Sequence, residues 1–234
     1  MPYRIAEARA AMDALGADPD DTAQAIRVIG AMAGGSPERC FRRFAGSEGG
    51  VRVLREKREL YDILSDIDRL GAMPEGSLGH EIWRFYTVEQ ISAQGLKGAS
   101  EAAAGESGFF AGDDDRTRFA RRLRELHDVF HVLTGYGRDM RGEIACLAFT
   151  FAQTKNTGIG YLVLRVLRGA GWSSEMGKLV RQAFWRGRRA EWLIGQDWEA
   201  LLEQPLEALR TELGVGPAPV YEQVRSPGAP TLVN

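Results

Sequence analysis

With 234 residues, 44% of them hydrophobic and 26% charged, the chain is long enough for a substantial core and too apolar to be disordered. A formal net charge of -2 offers no overall attraction to nucleic acid, and no stretch reaches the roughly 18 apolar residues of a membrane-spanning helix. Two cysteines, Cys40 and Cys146, are too few for a disulfide framework. Both are expected to be reduced core thiols. Met1 to Ala10 lacks the basic start and apolar run of a signal peptide, so a cytoplasmic setting is the expectation.

Helical periodicity starts early. Glu7 to Leu15 and Asp21 to Ala33 predict two short helices, with Asp20 or Asp21 capping the second and Ala23, Ile26 and Ile29 on one face. Gly34 to Pro37 opens a further helix start carrying Cys40, Phe41 and Phe44, interrupted at Gly46 to Gly50. Residues 1–50 are therefore expected to be a helical extension packed on the main body. Arg52 to Leu70 reads as one amphipathic segment, its Leu54, Leu60, Ile63, Leu64, Ile67 and Leu70 buried and its charges solvated. A turn at Met73 to Gly79 follows, with Ser77 or Gly79 introducing a helix from His80 to Tyr86. Thr87 to Ala111, with Gly95, Gly98, Gly105 and Gly108, predicts a long loop.

Asp113-Asp114-Asp115 places acids where a helix favours them and starts a long helix from about Arg116 to Thr134. Phe119, Leu123, Leu126, Phe130 and Leu133 form its core stripe, and His127 and His131 border that stripe. Gly135, Gly137 and Gly142 surround a turn, after which Glu143 opens a second, nearly all-apolar helix. Beyond it come Tyr161 to Leu167, Lys178 to Trp185, a break at Gly187 to Ala190, a helical or otherwise structured crossing at Glu191 to Leu202, and a last helix at Leu206 to Leu213. Arg52 to Leu54 and Tyr161 to Leu164 are brief strand-like runs inside longer helical patterns. The prediction is an all-α fold: a single multi-helix domain over 51–214, with the extension before it and a mobile tail at 215–234.

The chemistry concentrates in the central helix pair. His127 and His131 are one helical turn apart and share a face, Asp128 is three residues from His131, and an antiparallel return would bring Glu143 back toward them. Groups of this kind near a core need compensation, and a shared divalent cation supplies it. Imidazole and carboxylate suit Zn, Fe, Mn or Co, and extensive water coordination could accommodate Mg. The plainer alternative has the histidines in ordinary polar contacts, Asp128 paired with an arginine and Glu143 capping its helix. Two of the three histidines in the chain at this spacing favour the metal. The third, His80, is expected to bond locally or face solvent.

Other chemistries are weaker. A zincin-like hydrolase carries Glu where Asp128 stands here. Gly158-Ile159-Gly160 is only a fragment of a nucleotide loop, and neither cysteine has a catalytic base fixed by the sequence. Lys178, Arg181, Arg186, Arg188 and Arg189, beside Phe184 and Trp185, could form a basic rim for an anionic head group or an ordinary solvated surface.

His-Asp-x-x-His followed by eleven residues and Glu, met by His127, Asp128, His131 and Glu143, resembles the pattern of the coenzyme Q biosynthesis protein four family. The likeness extends through Met73 to Gly79, Arg84-Phe85, Gly142-Glu143, Ala152 to Thr154, Gly187 to Ala190, Trp198-Glu199 and Glu212 to Gly214, from about Val51 to Gly214. It implies an all-helical fold with a metal site between two central antiparallel helices, the four matched residues as metal ligands, and a hydrophobic polyprenylated substrate among the nearby helices. The family's link to ubiquinone production implies replacement of the C1 carboxylate of a 4-hydroxybenzoate-derived precursor by hydroxyl, an oxidative decarboxylation. Arg188 and Arg189 are the candidates for recognising substrate charge. A non-catalytic lipid-binding scaffold and a zinc-dependent hydrolase are the alternatives. Candidate partners are the prenylated precursor, other quinone-biosynthesis proteins, the inner face of a membrane and a second copy of the chain. Gly95 to Gly112, the Phe130 helix and Thr154 to Thr157 depart from eukaryotic members, which implies a different entrance or head-group specificity.

Overall fold

The computed structural model describes residues 2–18, 21–104 and 112–225. Among these, helices account for the regular structure, and a lone antiparallel bridge joins Ser77 to Pro205. α1 (Ile5–Ala17) and α2 (Thr22–Met32) pair as a hairpin, and the Asp21 side chain caps α2 by accepting from the Gln24 N–H. α3 (Ser36–Ala45) buries Phe41 and Phe44 against Phe119.

The predicted single segment from Arg52 to Leu70 is instead α4 (Glu48–Glu56), α5 (Leu60–Leu64) and α6 (Ile67–Gly71). Lys57 ends α4 in the left-handed conformation, and Asp66 caps α6 through the Arg69 N–H, so the apolar periodicity is carried around two corners. α7 (Leu78–Glu89) begins at Ser77, as expected, with its hydroxyl accepting from the His80 N–H. The expected loop from Thr87 is largely helix: α7 continues to Glu89 and α8 spans Ala93–Ala104. Alanines offset the helix-weakening glycines, and Ala93 and Ser100 are buried as α8 packs against α2. The rest of that stretch, 105–111, lies outside the described residues.

α9 (Asp115–Thr134) and α10 (Met140–Thr154) form the centre. Phe119, Leu126, Phe130 and Leu133 are buried along α9, with Leu123 partly so, and Phe130 meets Phe149 of α10 edge to face. α11 (Thr157–Ala170) lies against α2 and α10, which seats the first helical hairpin on the body. α12 (Glu175–Arg189) packs along α10 and runs through the predicted break. Gly187 is there for closeness: a Cβ would stand 2.7 Å from the Phe149 carbonyl oxygen and 2.9 Å from the Ala152 methyl. A 3-10 turn (Leu193–Gly195), α13 (Trp198–Leu201) and α14 (Leu206–Glu212) complete the expected crossing and last helix.

Polar links fasten this frame. Arg122 on α9 reaches Glu199 on α13 at 2.6 and 2.8 Å, both side chains buried, while Asp197 accepts from Arg52 and Arg58. The start of the predicted tail is also fastened. Val215 is buried, Tyr221 bonds to Gly137 and Asp139, and Arg225 pairs with Glu89 at 2.7 Å. Residues 226–234 lie outside the described residues.

Candidate metal centre

The turn between α9 and α10 sets the geometry. Gly135 ends α9 with φ +76, a left-handed conformation that glycine adopts without penalty. Asp139 then caps α10, accepting from the N–H groups of Arg141 and Gly142 at 3.0 and 3.2 Å. The Tyr221 hydroxyl donates to Asp139 at 2.6 Å and accepts from the Gly137 N–H at 2.8 Å, so the C-terminal segment braces the same turn.

The turn brings Glu143, on the first turn of α10, to the two histidines of α9. His127 Nε2 and His131 Nε2 are 3.1 Å apart, and Glu143 Oε2 is 3.4 Å from the first and 3.3 Å from the second. His131 Nδ1 donates to the Tyr136 carbonyl at 2.8 Å, which orients the ring and turns Nε2 inward. Phe85 stacks on the same ring, with centroids 5.6 Å apart. The His131 side chain is 1% exposed, whereas His127 at 25% and Glu143 at 32% keep an opening to solvent.

Cys146 is the residue that sequence reasoning left out. Its sulfur and the ligating nitrogens of His127 and His131 all lie within 4.8 Å of one another. Cys146 sits three residues after Glu143 and therefore on the same face of α10, a spacing that was visible in the sequence but read as core packing. Two further contributors were also missed. Tyr86 of α7 donates its hydroxyl to Asp128 Oδ2 at 3.0 Å, and Arg138 Nε stands 3.7 Å from Glu143 Oε1.

Charge in this cluster is strongly coupled. Burial alone would raise the Glu143 carboxyl, but the imidazoles outweigh it and hold the group well below its ordinary range. Burial and His131 both oppose charge on His127, yet Cys146 and Glu143 push it up to about 10. Burial likewise opposes ionisation of Cys146, and His131 with His127 bring it down to about 7. Only one hydrogen fits between nitrogens 3.1 Å apart. Inward nitrogens, a carboxylate oxygen and a thiol gathered this closely are donors of the kind that suit a divalent cation.

The structure brings His127, His131 and Glu143 together and turns Asp128 toward Tyr86. Consecutive helical residues point about 100° apart, so Asp128 leaves the face that His127 occupies. Burial raises the Asp128 carboxyl against the pull of the imidazoles. Arg188 and Arg189 line two different clefts, of about 280 and 600 Å³, and none of His127, Asp128, His131 or Glu143 lines either. His80 lies against Trp83 with Nδ1 3.9 Å from Glu81, away from the cluster.

Residues 7–219 match the family model described as coenzyme Q (ubiquinone) biosynthesis protein Coq4. The mitochondrial ubiquinone biosynthesis protein COQ4 homolog of Mus musculus is 31% identical over 180 residues, covering 74% of this chain and 63% of that protein. The Homo sapiens homolog gives the same identity and coverage, and mitochondrial COQ4 of Yarrowia lipolytica is 31% identical over 75% of this chain and 65% of its own length. The chain thus spans less than two thirds of each of these relatives. A crystal structure from Nostoc punctiforme, put forward as a ubiquinone biosynthesis protein, superposes with a TM-score of 0.60 at 18% identity over 92% of this chain and 100% of that one, a likeness of fold.

Proposed function

As the chain belongs to the coenzyme Q (ubiquinone) biosynthesis protein Coq4 family, we propose that it acts in ubiquinone biosynthesis as a metal-dependent enzyme. The reaction is replacement of the C1 carboxylate of a polyprenylated 4-hydroxybenzoate-derived precursor by hydroxyl. The observation that carries the reading is the meeting of His127 Nε2, His131 Nε2 and Glu143 Oε2 at 3.1 to 3.4 Å beside a partly open edge.

A divalent cation held there would polarise the precursor's carboxylate and stabilise developing oxygen charge. The chain's own residues do the rest. Tyr136 fixes the orientation of His131, and Phe85 gives the site an apolar wall beside that ring. Arg138, near Glu143 and one-third exposed, supplies a cation where an incoming carboxylate would arrive. Tyr86 holds Asp128 off the imidazoles. Overall, the carboxyl carbon leaves as carbon dioxide, water supplies the hydroxyl gained at C1, and dioxygen takes the two electrons and two protons released and leaves as hydrogen peroxide.

No helix among the described residues is long and apolar enough to cross a membrane. Trp172 and Trp185, 59% and 55% exposed, with Arg181 over the Trp172 ring, support access to the prenyl lipid from a membrane face. The test is turnover of a synthetic carboxylated, prenylated precursor under air and under nitrogen by protein loaded with candidate metals. Oxygen-dependent carboxylate loss with hydroxyl gain, abolished in folded His127→Ala and Glu143→Ala proteins, is the expected result. Tight precursor binding without product would instead make the protein a lipid-handling scaffold.

A further inference from the structure

We propose that Cys146 is a thiolate donor to the cation of this centre, so that the cation is held by His127, His131 and Cys146 together with Glu143, and the site selects zinc, cobalt or iron(II) over magnesium. The inference rests on reading the cluster as a metal centre and goes beyond it in naming a sulfur ligand and the preference that sulfur imposes.

Placement comes first. Cys146 is fully buried on α10, and its sulfur shares a 4.8 Å neighbourhood with the two ring nitrogens. Bonds of about 2.3 Å to sulfur and 2.0–2.1 Å to nitrogen put donors within about 4.4 Å of one another. Small side-chain rotations close the difference. Glu143 is one turn away on the same helix face with Oε2 already between the imidazoles, whereas Asp128 is engaged by Tyr86.

Charge balance favours the same set. A buried divalent cation with two neutral imidazoles, one thiolate and one carboxylate is neutral overall, which removes the cost of an uncompensated buried charge. Ligand chemistry supplies the selectivity: thiolate and imidazole suit zinc, cobalt and iron(II), while magnesium takes oxygen ligands and keeps its waters. Cys40 is the internal contrast. It is buried on α3 in the apolar core beside Phe41 and Phe44, outside the histidine cluster.

The experiment is cobalt(II) titration of the metal-free 234-residue chain, followed by near-ultraviolet and visible absorption. A sulfur-to-cobalt charge-transfer band rising to one equivalent is expected in the wild type and in Cys40→Ser, and no band in Cys146→Ser or Cys146→Val. The valine variant keeps the helix apolar, and thermal melts followed by circular dichroism check its fold. Loss of even an outer partner costs about 10–100-fold in metal affinity, so zinc should bind at least roughly tenfold more weakly to both Cys146 variants. Magnesium should fail to displace zinc from the wild type. Cobalt bound without the band, equal zinc affinity in wild type and Cys146→Val, or no cobalt binding each overturns the inference. A protein with the band but without decarboxylation keeps the sulfur ligand and loses the reaction. Decarboxylation by cobalt-loaded protein without the band does the reverse.

Discussion

His131 presents Nε2 to His127 because its other nitrogen donates to the carbonyl of Tyr136, two residues beyond Thr134, the last residue of α9. That carbonyl is placed by Gly135, whose φ of +76 an L side chain rarely adopts and whose Cβ would run into Ala218. Gly135→Ala should therefore lower unfolding free energy by about 1–3 kcal/mol and weaken zinc binding by roughly tenfold. Urea unfolding and zinc titration check both. An unchanged midpoint would show that the turn tolerates the side chain.

Tyr221 ties the C-terminal segment to this turn through Asp139 and the Gly137 N–H. Tyr221→Phe keeps the ring and removes both bonds, with an expected loss of about 1–2 kcal/mol. Hydrogen exchange should quicken at Gly137 and Gly142 before it does in the middle of α9. Uniform quickening along the chain would mean that the segment acts on global stability alone.

Some of this geometry was legible in the sequence because it follows from helix period. The four-residue step from His127 to His131 and the glycine-containing turn before Glu143 already implied convergence, and the α9 stripe from Phe119 to Leu133 is buried largely as the pattern predicts. What stayed hidden depended on neighbours remote in sequence. Tyr86 comes from α7 to take Asp128, Gly187 exists for the backbone of Phe149, and α8, whose glycines blur its alanine-rich helix signal, is held by packing on α2. Cys146 was hidden differently: its spacing from Glu143 is plain, but a thiol inside an apolar run has the pattern of an ordinary core residue.

Asp197 gives a pH test outside the metal centre. Burial pushes its carboxyl up, but Arg58 and then Arg52 outweigh that and hold it below the ordinary range. A depressed folded value contributes stability that is complete above the unfolded value of about 3.9 and is lost as pH falls through the folded one. Asp197→Asn should thus cost roughly 1–2 kcal/mol at neutral pH, with the gap to wild type closing below about pH 4. A gap that stays constant down to acid unfolding would contradict the assignment.

Arg138 should affect substrate rather than cation. With its guanidinium 3.7 Å from Glu143 Oε1, Arg138→Ala is expected to raise KM for a carboxylated precursor by roughly tenfold while metal content stays at the wild-type level. Arg188→Ala and Arg189→Ala, which act in clefts away from the histidines, are the comparison. A larger KM effect from either would return substrate recognition to the end of α12.

The most direct test of the centre itself is metal content. The 234-residue chain, stripped and then equilibrated with zinc, should retain one equivalent per chain by mass spectrometry after desalting. The His127→Ala/His131→Ala double variant, with an unchanged helical spectrum, should retain none. One equivalent retained by that variant would place the cation elsewhere and contradict the account.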